Sequence, residues 1–288
     1  MQNHEMQTRL FNFQETQLRA VFNPARITSS AASTDEKSIK ERACFLCKSN
    51  RPTEQKSIKV LTDYELLINP FPVFPEHLTI PTIEHTKQLL SPQRIKDMLT
   101  LAKFMPAYTL LYNGAKCGAS APDHFHFQAG TRLFMPVEKE IIEKGITLFN
   151  DNTTKITTVT NFLRKIIMIR STDSIQIMKR ILQVIDLLGN IQKCGDEPMM
   201  NIITFFENNA WHFCIFPRSA HRPKQFFEEG ERRILFSPGT VDMGGVLIFP
   251  LKKDFDAISS DEIADIFAQV TLSDSDFETV SQQIQQLQ

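Results

Sequence analysis

The chain has 288 residues, 42% hydrophobic and 23% charged, the make-up of a globular protein with room for one large core or two ordinary ones. With 32 Lys and Arg against 33 Asp and Glu, the charge balance excludes an electrostatic argument for nucleic acid or a membrane surface as partner. No apolar run approaches the ~18 residues of a membrane span, and five cysteines make poor disulfide arithmetic, so a reducing, cytoplasmic setting is expected.

The polar start, MQNHEMQTRLFNFQETQLRA, lacks the basic-then-apolar layout of a signal peptide. Residues 1–42, which run into the Ser/Thr-rich, charged TSSAASTDEKSIKERA, read as an N-terminal segment and linker. Strand-like runs follow at IKVL (58–61), YELLINPF (64–71) and HLTIP (77–81). Ser91 and Pro92 open a helix, as N-cap and first-turn proline, that continues through RIKDMLTLAKFM. YTLLYNG (108–114) is a strand leading into GASAPDHFHFQAG (118–130). Farther on, SIQIMKRILQVIDLLGNIQK (174–193) puts Ile177, Ile181, Val184, Ile185 and Leu188 on one stripe, which predicts a helix lying on a sheet. NIITFFE (201–207), WHFCIFP (211–217) and GGVLIFPL (244–251) read as strands. SSDEIADIFAQV (259–270) reads as a helix with Ser259 and Glu262 at capping-box spacing.

An internal echo links two stretches. ELLINPFPVFPEHLTIPTIEH (65–85) and NIITFFENNAWHFCIFPRSAH (201–221) both read strand, turn, strand, then Pro-x-x-x-His, with the pairs Pro81/His85 and Pro217/His221. Each precedes a glycine turn and a strand, GASAPDHFHFQ in one case and DMGGVLIFPL in the other. Two divergent copies of one α+β unit account for this, the first over residues 43–150 and the second over 151–288. Only the first has paired histidines, so chemistry is expected there.

In HFHFQ, the alternation of a strand puts His124, His126 and Gln128 on one face and Phe125 and Phe127 on the other. A neutral imidazole held in one tautomer is a good nucleophile toward phosphorus and a good leaving group afterwards. A glutamine amide donates to a phosphoryl oxygen without acting as a base. The Gly118-Ala119-Ser120 turn ahead of them offers backbone N–H groups and a hydroxyl to a phosphate. A surface strand with incidental histidines is the plain alternative, and the combination of all these parts tells against it.

Cys44 and Cys47 form a CxxC, half of a tetrahedral zinc site, with His77, His85 and His124 as candidates to complete it. A redox pair or two reduced, buried cysteines are the other readings. Arg218, His221, Arg222 and Lys224 cluster in FPRSAHRPKQFF (216–227), either solvating a loop or reaching phosphates held by the first copy. Trp211 and the phenylalanines read as core, and Cys117, Cys194 and Cys214 as inert.

These blocks resemble the nucleotidyltransferase and phosphorylase branch of the histidine-triad (HIT) superfamily. CFLCKSN is similar to the Cys-x-x-Cys-x-x-Asn segment of galactose-1-phosphate uridylyltransferases. INPFPVFPEHLTIPTIEH with YNGAKCGASAPDHFHFQ resembles diadenosine tetraphosphate phosphorylases and the same uridylyltransferases. HFHFQA and the late stretch from Ser237 to Val280 look most like GDP-L-galactose and GDP-D-glucose phosphorylases.

The resemblance implies two HIT-like halves and a double displacement. His126 matches the residue that becomes nucleotidylated, and Gln128 stands where HIT hydrolases carry a third histidine, favouring transfer over hydrolysis. Asn113, Gly118, Ser120, Arg218 and His221 are then expected at the substrate, a nucleoside diphosphate sugar with phosphate or a sugar phosphate as acceptor. A structural zinc is expected on Cys44, Cys47, His85 and His124, and a homodimer is common among related folds. Phosphorolysis or hydrolysis of a dinucleoside polyphosphate, or nucleotide binding without catalysis, are the rival functions. The sequence departs from the pattern in APD, three residues between Ser120 and His124 where uridylyltransferases and diadenosine tetraphosphate phosphorylases have two. That insertion puts the register of Ser120 in question.

Overall fold

The computed structural model describes residues 7–27 and 36–288. A hairpin of β1 (Thr8–Asn12) and β2 (Gln17–Phe22) is followed by the short helix α1 (Glu36–Glu41). Next come β3 (Ser57–Val60), β4 (Tyr64–Ile68), β5 (His77–Pro81), helix α2 (Pro92–Phe104), β6 (Tyr108–Asn113) and β7 (His126–Thr131). Helix α3 (Val137–Lys144) leads to β8 (Ile146–Asn150), β9 (Thr154–Thr158), β10 (Ile167–Ser171), helix α4 (Ser174–Gln192), β11 (Met200–Glu207) and β12 (Ala210–Pro217). The chain closes with α5 (Thr240–Met243), β13 (Val246–Phe249), α6 (Lys252–Ala257), α7 (Ser260–Val270) and α8 (Asp274–Gln285).

Strands β3 to β12 form one antiparallel sheet in the order β3-β4-β5-β7-β6-β11-β12-β10-β9-β8. Read outward from the centre, both halves trace the same path, with a helix (α2 or α4) between the third and fourth strands of each. The protein is α+β and duplicated. The halves join where β6 pairs with β11, Asn113 opposite Asn201. Along β6 the side chains alternate: Leu110 and Tyr112 pack under α2 and α4, while Leu111 packs on the other face. Ser91 caps α2 by accepting from the Arg94 N–H, and Ser259 and Glu262 close the expected capping box on α7. The stripe on α4 buries Ile177, Ile181, Val184 and Leu188 against the sheet.

The repeat is real, but its register differs from the echo. Topology matches β4–β5 with β9–β10, and β6–β7 with β11–β12. The echo had set β4–β5 against β11–β12, because any two apolar hairpins ending in proline look alike in sequence. GGVLIFPL correspondingly has no place in the large sheet: β13 lies parallel to β2 in a separate sheet, β1-β2-β13. By topology β8 goes with the second half. Strands β8 to β10, which the sequence patterns did not mark, complete that half.

Residues 8–22 are built into the protein, with Leu18 and Ala20 buried in the main core. Within the linker stretch, 28–35 lie outside the described residues. Arg164 fastens the hairpin to the second half. Fully buried, it donates to the Met243 carbonyl and to Thr16 Oγ1 and pairs with Glu140. Among the described residues no helix is long and apolar enough to cross a membrane.

Candidate active site

Strand β7 begins at His126, later than the sequence pattern put it, so His124 and Phe125 precede it, but the alternation of the two faces holds. Phe125 and Phe127 are fully buried, in ring contact with Tyr64 and Tyr112, and anchor the motif to the core. His126 lies on the opposite face, 4% exposed. Its Nδ1 lies 2.9 Å from the His124 carbonyl oxygen, which can only accept, so the ring proton sits on Nδ1 and the Nε2 lone pair is bare. Among the described residues Nε2 has no hydrogen-bond partner. Burial keeps the ring neutral, pushing its pKa down to about 4. Gln88, which sequence reasoning missed, fixes the backbone here. Its Oε1 accepts from the His126 N–H at 2.8 Å, and its Nε2 donates to the carbonyls of His126 and Asn113. It supplies at the mouth of the strand the bonds that a neighbouring strand supplies elsewhere.

Gln128 stands one step along the same face. Its Oε1 accepts from His77 Nε2 at 2.8 Å, and its side chain lines a cavity where the two halves meet. From the first half the cavity takes Asn113 and the Gly118-Ala119-Ser120 turn. From the second it takes His221, Arg222, Ser237 and the start of α5, Gly239 to Asp242. Arg26 reaches in from the turn after β2, and Val73, Val241 and Ile248 supply an apolar side.

The turn demands glycine at Gly118. Its φ is +89°, and an added Cβ would lie 2.7 Å from the Gly239 Cα. A glycine of each half thus lets the two lobes touch at the cavity. Asn113 Oδ1 accepts from Thr240 N–H, Thr240 Oγ1 and Asn201 Nδ2, leaving its own Nδ2 without a partner among the described residues.

The second half contributes charge, though not through the residue expected. Arg218 is fully buried and spends its guanidinium on Asn201 Oδ1 and the carbonyls of Val270, Pro238, Ala220 and His221. It braces the loop, and it is not among the residues that line the cavity, where it had been expected at the substrate. Arg222 takes that place at the cavity, positioned by its Nε–H to Ser237 Oγ and by stacking over Phe226. His221 does line the cavity. Burial, with Arg222 and Arg218 adding to it, pushes its pKa down to about 4, and its buried Nε2 has no partner among the described residues. Asp242, also at the cavity, is buried, and burial raises its pKa to about 6 although it accepts from the Gly239 and Ile248 N–H groups.

Cys44, Cys47, His85 and His124 converge, with one ligand atom from each all within 4.8 Å of one another. Cys44 Sγ is 3.3 Å and Cys47 Sγ 3.5 Å from His124 Nδ1, and Cys47 Sγ is 3.1 Å from His85 Nδ1. His124 donates from Nε2 to the Thr82 carbonyl at 2.8 Å, so its Nδ1 lone pair faces the two sulfurs. This donor set of two sulfurs and two nitrogens fits a closed, tetrahedral metal site. A redox role for the CxxC has less support: the cysteines face two imidazoles and lead into a 3-10 turn (Lys48–Asn50) instead of a helix. His77, the third candidate ligand, is absorbed by Gln128. Within APD, Asp123 pairs with Arg42 at 2.7 Å and stands 3.7 Å from His85 Nε2. Arg42 in turn donates to the Ser120 carbonyl, and Ser120 still lines the cavity.

Arg26, His77, Gln88, Asp242 and Asn201 were not assigned these places from sequence. Apart from their polarity at buried positions, which only the fold reveals, they carry no local signal.

Residues 136–288 match the family model described as "GDPGP1-like, C-terminal domain". Residues 1–131 match a model described as a domain of unknown function, DUF4922. No curated protein matches the sequence. Among solved structures, yeast Ap4A phosphorylase Apa2 in complex with Ap4A is 15% identical over 94% of this chain and 91% of its own, with a TM-score of 0.62. The same yeast enzyme in complex with AMP is 16% identical over 93% and 89%, with a TM-score of 0.61. An ADP-glucose phosphorylase from Arabidopsis thaliana with bound ADP-glucose is 12% identical over 93% and 100%, with a TM-score of 0.42. At 15–16% identity the likeness to the yeast enzyme is one of fold alone.

The close approach of the halves at the cavity rests on two glycines, so Gly118→Ala is expected to cost roughly 1–3 kcal/mol in urea denaturation, from backbone strain and the clash with Gly239.

Proposed function

Because the chain belongs to the GDPGP1-like family, we propose that it is a phosphorylase of nucleoside diphosphate sugars, a GDP-hexose foremost, working through a nucleotidyl-His126 intermediate. The observation that carries this reading is the His126 ring, neutral, with its proton fixed on Nδ1 and Nε2 bare; Gln128, one step along the same face, lines the cavity together with the glycine turn.

In the first step His126 Nε2 attacks the α-phosphorus. An N–P bond forms, the P–O bond to the sugar phosphate breaks, and a sugar 1-phosphate leaves with that electron pair. The ring keeps its Nδ1 proton and becomes cationic, and the His124 carbonyl stabilises that charge by accepting the hydrogen bond more strongly. The Gln128 amide, Ser120 Oγ and the N–H groups of the turn would take up charge on the α-phosphoryl oxygens. In the second step inorganic phosphate attacks the same phosphorus from the side vacated by the sugar phosphate. The N–P bond breaks, a nucleoside diphosphate leaves, and the Nε2 lone pair is restored. Gln128 cannot take a proton from water, so the intermediate waits for an anionic acceptor that needs no base. Arg222 and Arg26 supply positive charge for the anions at the cavity.

Cys44, Cys47, His85 and His124 would hold zinc, which in this closed site supplies folding energy and leaves no open position for a reactant. Zinc would fix His124, and His124 presents the carbonyl that sets the tautomer of His126. A reducing compartment suits the site, because the two cysteines bind metal only as thiolates.

Incubating the protein with GDP-, UDP- and ADP-sugars or diadenosine tetraphosphate, quenching in alkali to preserve the N–P bond, and analysing the His126 peptide by mass spectrometry tests the reading. A nucleotidyl adduct that His126→Ala abolishes, with turnover dependent on phosphate, is the expected result. No adduct from any donor, or undiminished turnover in His126→Ala, would overturn it. A dinucleoside polyphosphate as the only productive donor would move the substrate class. For the metal, elemental analysis should find about one zinc per chain, lost in Cys47→Ser and His85→Ala, with a matching fall in thermal stability.

A further inference from the structure

His77 is a buried histidine outside the metal cluster, 3% exposed, and the mechanism above does not use it. It opens β5 opposite Gly130 of β7, with Gln128 as the next residue on that face. Gly130 leaves room for the Phe74 ring, which packs edge-on to His77 at 5.1 Å. The imidazole is therefore walled in and can turn only toward Gln128.

Its hydrogen bonds have one consistent assignment. The Val73 N–H, which can only donate, meets His77 Nδ1 at 3.1 Å, so Nδ1 carries the lone pair and the proton sits on Nε2. Nε2 then donates to the Gln128 side chain at 2.8 Å, and the atom it meets must be the oxygen. The reverse orientation of the amide would set two N–H donors against each other. With Oε1 turned to His77, the amide N–H pair is left as the donor end of Gln128, a residue that lines the cavity. Burial pushes the His77 pKa down to about 4, so this tautomer persists in the neutral range.

We infer that His77 is a positioning residue: by donating to Gln128 Oε1 it fixes the orientation of that amide, so that the cavity receives an N–H donor and never the carbonyl oxygen. The inference rests on the phosphoryl-transfer reading for what the donor does, but the orientation itself stands on the hydrogen bonds. A carbonyl oxygen turned to the cavity would repel the phosphoryl oxygens where the transition state needs a donor.

The test has two arms. In the parent protein labelled at its histidine ring nitrogens, long-range proton–nitrogen correlation at pH 7 should show His77 as the Nε2–H tautomer, the signal being assigned by its loss in His77→Phe. A Nδ1–H tautomer, or a protonated ring, would overturn the inference without reference to activity. In kinetics, His77→Phe should lower kcat about 10- to 100-fold with KM changed less than about twofold, because a transition-state donor is lost. His77→Gln, which keeps an N–H donor, should recover most of that loss. In a Gln128→Ala background, His77→Phe should cost less than about twofold further, since the two residues act as one unit. Independent, additive losses would mean that His77 only supports the fold and would overturn the inference. If the parent protein transfers no nucleotide from any donor, the proposed function fails, and the tautomer alone then decides the role of His77.

Discussion

A carbonyl group two residues upstream determines what His126 can do. Because the His124 oxygen lies 2.9 Å from Nδ1, the ring must carry its proton there and present Nε2 as a lone pair. Everything nearby serves to hold that geometry. Phe125 and Phe127 bury one face of the strand, Gln88 ties down the His126 amide and carbonyl, and the Cys44–Cys47–His85–His124 cluster fixes the residue that owns the carbonyl. A surface histidine on the same strand would sample both tautomers and protonate near neutrality.

The duplication gives the site its second wall. One half keeps the His-x-His-x-Gln strand, while in the other half the matching strand is β12, AWHFCIFP, with no such motif. What that half retains is shape and charge: Gly239 against Gly118, the Thr240 bonds to Asn113, and Arg222 at the cavity. Arg218, the more conspicuous cation in the sequence, is consumed in bracing the loop that carries Arg222. A fully buried guanidinium must find acceptors for its donors, and here backbone carbonyls supply most of them.

The strand with His126 and Gln128, the glycine turn and the helices with their caps were legible in the sequence, because each follows from local spacing, and the convergence of Cys44, Cys47, His85 and His124 followed from the family resemblance. The exact pairing of the halves was not. The echo between residues 65–85 and 201–221 matched hairpin to hairpin in the wrong register, and only the sheet order shows which strands correspond. The N-terminal hairpin was hidden for a related reason: QLRAVF is apolar enough for a strand, yet its partner β13 lies more than two hundred residues away. His77 and Arg26 were invisible as site residues, since neither belongs to a spaced motif and both reach the site through strand register and turn geometry.

A double displacement through His126 inverts the α-phosphorus twice. The most direct test of the account is therefore the stereochemical course with a substrate made chiral at that phosphorus by a single sulfur. Overall retention of configuration is the predicted result. Net inversion would mean a single direct displacement, and it would contradict the covalent role assigned to His126.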